Sequence, residues 1–371
     1  MLPKTRVLLA DDSVTVRRLL SDTLAADPTI EVVAAARDGQ EAVVKFPQYK
    51  PDVVVLDVEM PVMDGIEAVV AIRKLDPRVP IVMFSSLTMK GGQATFDALS
   101  HGATDYVTKP SQSQNMLDAI NHIRSELIPK IKHLGQRSRP AVGGINLQRG
   151  SASGSHSQPH FSDLPMTSLA ADKFDVIAVG VSTGGPNALA DMLKHIPKTF
   201  SVPILIAQHM PAMFTSLLAE RLDQVCPLTV REATDGAQVE PGQVWIAPGD
   251  QHMLVERQGL KTVLQLNREQ SENSCRPSVD VLFRSVATTY HQRALAIVLT
   301  GMGSDGKRGC QMIRDGGGKV IVQDEATSVV WGMPGSVAEA GLANAILPLP
   351  EIAQQLSRLS LVGRSMATAG H

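Results

Sequence analysis

The chain has 371 residues, enough for two domains, and its 43% hydrophobic and 19% charged residues support packed cores and exclude a chain disordered throughout. A formal net charge of -2 excludes the overall basic field that gathers nucleic acid. Three widely spaced cysteines, Cys226, Cys275 and Cys310, give neither a disulfide framework nor a metal-ligand spacing, as expected of a reducing compartment.

Short apolar runs recur at 7–10, 32–36, 53–56, 81–84 and 104–107, with amphipathic segments such as 14–26 and 65–74 between them. Buried runs alternating with helices predict a five-stranded parallel sheet covered on both faces. Asp12 or Ser13 suits the N-cap of the first helix. The pattern breaks near Pro129, and residues 135–165 are rich in Gly, Ser, Pro, Arg and His, including GSASGSHSQPH. Few large apolar side chains there can offset the entropy of ordering, so the segment reads as a flexible linker or else a long functional loop. Apolar runs resume at 176–181, 203–207, 244–247, 295–299 and 319–322, with helical segments at 187–195 and 214–222, and predict a second α/β unit. The opening segment MLPKTRVLLADD has too short an apolar run for a signal peptide, and no run approaches the ~18 residues of a membrane span. A cytoplasmic chain without membrane insertion or nucleic-acid partner is expected.

In open parallel sheets, ligands bind beyond the carboxyl ends of the strands. Asp11 and Asp12 follow the first run, Asp57 the third, Ser85 the fourth and Lys109 the fifth. Taken singly, an Asp–Asp pair is an ordinary helix cap and a Lys-Pro an ordinary turn. Together they set three carboxylates, a hydroxyl and an ammonium around one crevice. Close carboxylates repel unless a cation lies among them. Mg²⁺ suits them because it takes oxygen ligands and keeps waters for a phosphate donor. A carboxylate beside it can attack phosphorus and become an acyl phosphate.

In the second half, FDVIAVG runs into G-V-S-T-G-G, placing Ser182 in a G-x-S-x-G turn between a strand and a helix that begins near Pro186. VPILIA ends in QHMP, which puts His209 at a strand tip, and ALAIVL ends in TGMGSDG, which puts Asp305 just beyond another. Parallel strand tips share one sheet edge, so the three can meet. A serine hydroxyl needs a histidine to take its proton, and a carboxylate to fix the tautomer. Main-chain N–H groups in the loop with Gly301, Gly303 and Gly306 could hold an oxyanion, although the same loop suits a phosphate or a plain tight turn. His195, His252, His291, Asp250 and Asp324 are rival members.

The first set resembles the receiver domain of bacterial response regulators. That resemblance implies Asp57 as phosphoacceptor. It implies Asp11, Asp12, Asp57 and the Glu59 carbonyl as Mg²⁺ ligands, Ser85 and Tyr106 as a switch pair, and Lys109 as the phosphate partner. The order Ser, His, Asp departs from the α/β-hydrolase order. With GVSTGGP, AQHMP, APGDQHM, LTGMGSDG and WGMPGSV, it resembles the chemotaxis protein-glutamate methylesterases. The implied architecture is a flavodoxin-like receiver at 1–128, a linker at 129–172, and a doubly wound α/β catalytic domain at 173–365. The implied roles are Ser182 nucleophile, His209 base and Asp305 orienting acid, with Thr183 and the Met302 N–H contacting oxyanion and substrate. The implied enzyme needs no esterase cofactor. It demethylates glutamates and deamidates selected glutamines on the cytoplasmic helices of methyl-accepting chemoreceptors. It is controlled through a chemosensory histidine kinase that phosphorylates Asp57. A silent binding module, a transcription regulator and a small-metabolite esterase are the competing classes. No helix-turn-helix with a basic patch supports the second.

Overall fold

The computed structural model describes residues 3–110, 115–137 and 173–362. The chain divides into two compact units, one carrying strands β1–β5 and the other β6–β14.

Along the chain the order up to Arg137 is β1 (Thr5–Ala10), α1 (Val14–Ala25), β2 (Ile30–Ala36), α2 (Gly39–Tyr49), β3 (Val53–Asp57), α3 (Gly65–Leu75), β4 (Ile81–Ser85), α4 (Met89–Ser100), β5 (Asp105–Thr108), α5 (Met116–His122) and α6 (Ile128–Arg137). The strands pair in the order β2-β1-β3-β4-β5, all parallel. β1, β3, β4 and β5 are therefore successive neighbours, and their tips line one edge. Val7, Leu8, Leu9 and Val53 to Leu56 are buried because helices cover both faces. Side-chain caps start the helices: Ser13 accepts from Val16 N, and Asp64 with Glu67 forms a capping box on α3. Of the two residues suited to cap α1, Ser13 takes that place.

The break read at Pro129 is corrected. A π-helical turn, Ile123–Leu127, leads into α6, which carries Pro129 in its first turn and continues to Arg137. Leu127, Ile128, Ile131 and Leu134 extend one buried stripe, and Lys130 pairs with Asp105 at 2.6 Å. The run from Met116 to Arg137 is helical without a break, and the π-helical turn just before Pro129 shifts the hydrogen-bond ladder where the proline lacks an N–H, so packing carries the helix through it. The rest of the expected linker, 138–172, lies outside the described residues.

The second unit runs β6 (Val176–Val181), α7 (Gly185–Leu193), β7 (Ile204–Gln208), α8 (Ala212–Val225), β8 (Thr229–Glu232), β9 (Gln243–Ile246), β10 (His252–Gln258), β11 (Lys261–Asn267), α9 (Val279–Tyr290), β12 (Ala294–Val298), α10 (Lys307–Asp315), β13 (Lys319–Gln323), α11 (Met333–Glu339), β14 (Ala345–Leu347) and α12 (Leu349–Val362). Seven strands form a parallel sheet ordered β14-β13-β12-β6-β7-β9-β8, and β10 pairs antiparallel with β11. The sequence shows five apolar runs here. It does not announce β8 and β14, which are short edge strands, or the β10–β11 hairpin, whose outer positions are polar. β6 lies at the centre, buried along its whole length. Burying each Val or Ile of such a strand stabilises by about 1.5–3 kcal/mol, which fixes the strand whose tip carries the G-x-S-x-G turn.

Candidate active site

The sheet order sets the site. β6 lies between β12 and β7, with Val181 opposite Gln208 and Gly180 opposite Val298. Ser182, His209 and Asp305 therefore leave three adjacent strand tips on one edge. The turn holding Ser182 is tight. Gly184 has φ +78°, a conformation costly for other residues, and a Cβ there would also meet Val329 at 2.6 Å. Ser182 N donates to Thr300 O at 3.0 Å, and a Cβ on Gly301 would lie 2.9 Å from Ser182 Cβ. Only glycine lets the 301–306 loop approach the serine that closely. Gln208 is 2% exposed and donates from Nε2 to Ser182 O at 3.0 Å and to His209 O at 3.2 Å, clamping the two neighbouring tips.

His209 Nε2 lies 2.8 Å from Asp305 Oδ2. Asp305 is 2% exposed, yet it sits in a socket of donors. Val279 N donates to Oδ2 at 2.7 Å. Oδ1 accepts from Asn273 Nδ2 at 2.7 Å, Ser278 Oγ at 2.9 Å, Asp280 N at 3.0 Å and Gly306 N at 3.0 Å. The first N–H groups of α9 thus point at a carboxylate from a distant loop, an arrangement the helix dipole favours. Burial alone would raise the Asp305 pKa. The His209 bond and charge and the backbone donors outweigh burial and bring it down to about 2. Burial would likewise lower His209. Its bonds to Asp305 and to the sulfur of Cys275, with their charges, push it up to about 9.

His209 Nδ1, the ring nitrogen turned away from Asp305, lies 3.6 Å from Cys275 Sγ. No hydrogen bond joins Ser182 Oγ to His209 among the described residues, although their strand tips are neighbours. Thr183 is 3% exposed, and its carbonyl accepts from Thr300 Oγ1 at 2.9 Å. The Met302 N–H finds no backbone acceptor among the described residues. The rival residues lie elsewhere or are otherwise engaged. His195 and His291 are exposed. His252 is buried, accepting from Ser278 N at its Nδ1. Asp250 pairs with Arg276, and Asp324 accepts from Thr327 N. Sequence reasoning missed Gln208, Asn273, Cys275, Ser278 and Thr300. Gln208 alone left a signal, as the residue before His209 at a strand end.

The first unit gathers the other predicted set. Asp57 ends β3, Asp11 follows β1, Ser85 ends β4 and Lys109 follows β5. Lys109 Nζ is 2.7 Å from Asp57 Oδ2 and 2.8 Å from Asp11 Oδ2, while Lys109 N donates to Ser85 O at 2.6 Å. Burial pushes Asp57 up to about 6 against the pull of Lys109, with the Asp11 charge adding to the rise. Carboxylate oxygens of Asp11, Asp12 and Asp57 lie within 4.8 Å of one another. Buried Asp11 Oδ2, despite its ion-pair distance to Lys109, accepts no hydrogen bond of good geometry and keeps a lone pair for an ion. This donor set fits a hard cation that prefers oxygen. Glu59 N donates to Asp57 Oδ1 at 3.4 Å, and Tyr106 is buried with Lys130 over its ring at 5.6 Å.

In architecture this is a response regulator with an α/β enzyme as its output unit. Residues 7–121 match the response regulator receiver domain model, and residues 177–356 match the CheB methylesterase model. A protein-glutamate methylesterase/protein-glutamine glutaminase of Trichodesmium erythraeum is 47% identical over 357 residues, 96% of this chain and 99% of that protein. One of the same name from a Nocardioides species is 46% identical over 374 residues, covering 100% of this chain and 99% of its own. The CheB methylesterase catalytic domain of Thermotoga maritima, a crystal structure, is similar with a TM-score of 0.50 and 43% identity, over 50% of this chain and 99% of that domain. Likeness of this extent from end to end places the chain in the protein-glutamate methylesterase/protein-glutamine glutaminase family. Among the described residues no helix is long and apolar enough to cross a membrane.

Proposed function

We propose that this chain hydrolyses glutamate methyl esters, and deamidates selected glutamines, on the cytoplasmic helices of chemoreceptors, and that phosphorylation of Asp57 by a chemosensory kinase in the cytoplasm turns the reaction up. The observation that carries the reading is the His209–Asp305 bond at 2.8 Å, made at a strand tip adjacent to that of Ser182. With Nε2 committed to the carboxylate, Nδ1 is the nitrogen for the Ser182 proton. Ser182 Oγ attacks the ester carbonyl as that proton moves to His209. The carbonyl oxygen becomes an oxyanion, for which Thr183 and the Met302 main-chain N–H are the candidates. Such a donor is worth about 2.7–4 kcal/mol in other hydrolases. His209 returns the proton to the leaving oxygen and methanol departs. Water then attacks the acyl-enzyme by the same path and frees the glutamate carboxylate. From glutamine the leaving group is ammonia. The unformed Ser182–His209 bond suits a free enzyme, since catalytic hydrogen bonds tighten when substrate binds.

In the receiver, Asp57 attacks the phosphorus of the kinase phosphohistidine, a P–O bond forming as the P–N bond breaks. Lys109 stands at 2.7 Å to meet the new charge, with Ser85 beside it. Mg²⁺, held by Asp11, Asp12, Asp57 and the Glu59 carbonyl, would neutralise charge between phosphodonor and carboxylates.

One observation favours a second reading of the nucleophile: Cys275 Sγ, not Ser182 Oγ, is the group 3.6 Å from Nδ1. Cys275 lies outside the G-x-S-x-G turn between strand and helix that carries Ser182, so Ser182 is preferred. Methanol release from methylated receptor membranes, with and without Mg²⁺ and a small phosphodonor, tests the function. Release that rises with phosphodonor supports it, and no release overturns it. A fluorophosphonate probe that labels Ser182 decides between the two nucleophiles.

A further inference from the structure

Widely spaced in sequence, the cysteines offer no metal motif, but the fold carries Cys275 to His209. We propose that His209 Nδ1 and Cys275 Sγ form a two-ligand site for a thiophilic divalent cation, zinc above all, and that its occupancy arrests the hydrolase. The arrest rests on His209 being the base of the proposed mechanism; the binding does not.

The bite fits. Zinc lies about 2.3 Å from a thiolate and about 2.0–2.1 Å from an imidazole nitrogen, so a tetrahedral angle sets N and S about 3.5–3.6 Å apart. Here the separation is 3.6 Å. The orientation also fits. A metal-binding histidine turns its other ring nitrogen to a carboxylate, as His209 Nε2 turns to Asp305 Oδ2 at 2.8 Å. Asp305 acts from this outer position rather than as a third ligand, because α9 and the Asn273 loop already engage both its oxygens.

The sulfur is held in place. Cys275 and Glu272 exchange backbone bonds at 2.9 and 3.2 Å, and Glu272 is fixed by Arg284 at 2.9 Å. Asn273 bonds both Asp280 and Asp305, at 2.8 and 2.7 Å. Little reorganisation is then needed at the sulfur when an ion arrives. Access is open, since the His209 side chain keeps 14% exposure and Cys275 is half-buried.

On binding, the thiol proton and the imidazolium proton on Nδ1 both leave to solvent, the sulfur and Nδ1 each give a lone pair to the ion, and waters fill the remaining positions. No electron is transferred. The lone pair meant for the nucleophile proton is then occupied. A soft sulfur donor selects zinc over magnesium, so the receiver cation does not compete. Two protein ligands instead of four put the affinity in the range of about 1–10 µM.

The test uses the full chain with excess Mg²⁺ and phosphodonor, each variant normalised to its own rate without zinc. Zinc at about 100 µM should cut methanol release at least about tenfold, and a zinc-selective chelator should restore it. Cys275→Ser should raise the inhibitory concentration at least about 30-fold, while Cys226→Ser leaves it unmoved. Cobalt supplies a readout without turnover. A thiolate-to-cobalt absorption band should appear in the native protein and in Ser182→Ala, and vanish in Cys275→Ser. The same zinc sensitivity in Cys275→Ser, or no cobalt–thiolate band, overturns the site and leaves an S–H···N hydrogen bond only. A band without zinc inhibition would keep the site and count against His209 as the base.

Discussion

Asp305→Asn removes one charge and keeps the shape of the side chain, and the socket dictates how the amide must sit. Four donors converge on Oδ1, whereas Oδ2 takes only His209 and Val279 N. The amide oxygen must therefore take the Oδ1 position, since the reverse orphans four donors. The new NH₂ then faces the Val279 N–H, donor against donor, and one buried unsatisfied donor costs about 1–3 kcal/mol. In a unit of this size that lowers Tm by about 2–4 °C per kcal/mol. The other amide hydrogen points at His209 Nε2 and drives the ring proton to Nδ1. That nitrogen faces the nucleophile and then has no lone pair to receive its proton. The analogous change in serine proteases lowers kcat about 10⁴-fold, equivalent to about 5.5 kcal/mol of barrier. Methanol release and a thermal melt on the same preparation check both parts. A folded Asp305→Asn protein within about tenfold of the native rate would refute the assignment of Asp305 and the tautomer argument with it.

Ser182→Ala should lower kcat by at least about 10³-fold and abolish fluorophosphonate labelling; if Cys275→Ala instead causes the loss, the thiol is the nucleophile. The pH dependence of rate should follow the raised His209 pKa, because only the neutral ring accepts a proton. kcat/KM should climb toward pH 9, and Cys275→Ser should move that limb to lower pH; a flat profile from pH 6 to 9 contradicts this. For stability the sign is opposite. The His209 contribution is full below its unfolded pKa of about 6.5 and fades as pH rises through about 9. The Asp305 contribution is present above about 3.8 and is lost as pH falls through about 2, and melts across this range read both. Asp57→Asn should leave basal methanol release in place and abolish its stimulation by phosphodonor; stimulation that survives would remove Asp57 from control.

The alternation of buried strands and helices in both units is legible in the chain's apolar pattern. That pattern also locates the residues that end strands or stand directly after them: Asp11, Asp57, Ser85, Lys109, Ser182 and His209. Those positions are legible because chemistry at a parallel sheet edge sits where an apolar run stops, which is local information. Which tips are neighbours follows from the folded sheet alone. The order β12-β6-β7 makes Asp305, Ser182 and His209 adjacent, and no local pattern encodes strand order. Gly306 aside, the socket of Asp305 and the approach of Cys275 to His209 come from residues 25 to 66 positions away, held by an irregular loop in which Asn273 and Ser274 both have positive φ. Such a loop has no period to read. Its side chains acquire their roles only when the packing of α9 against β6 brings them to the sheet edge.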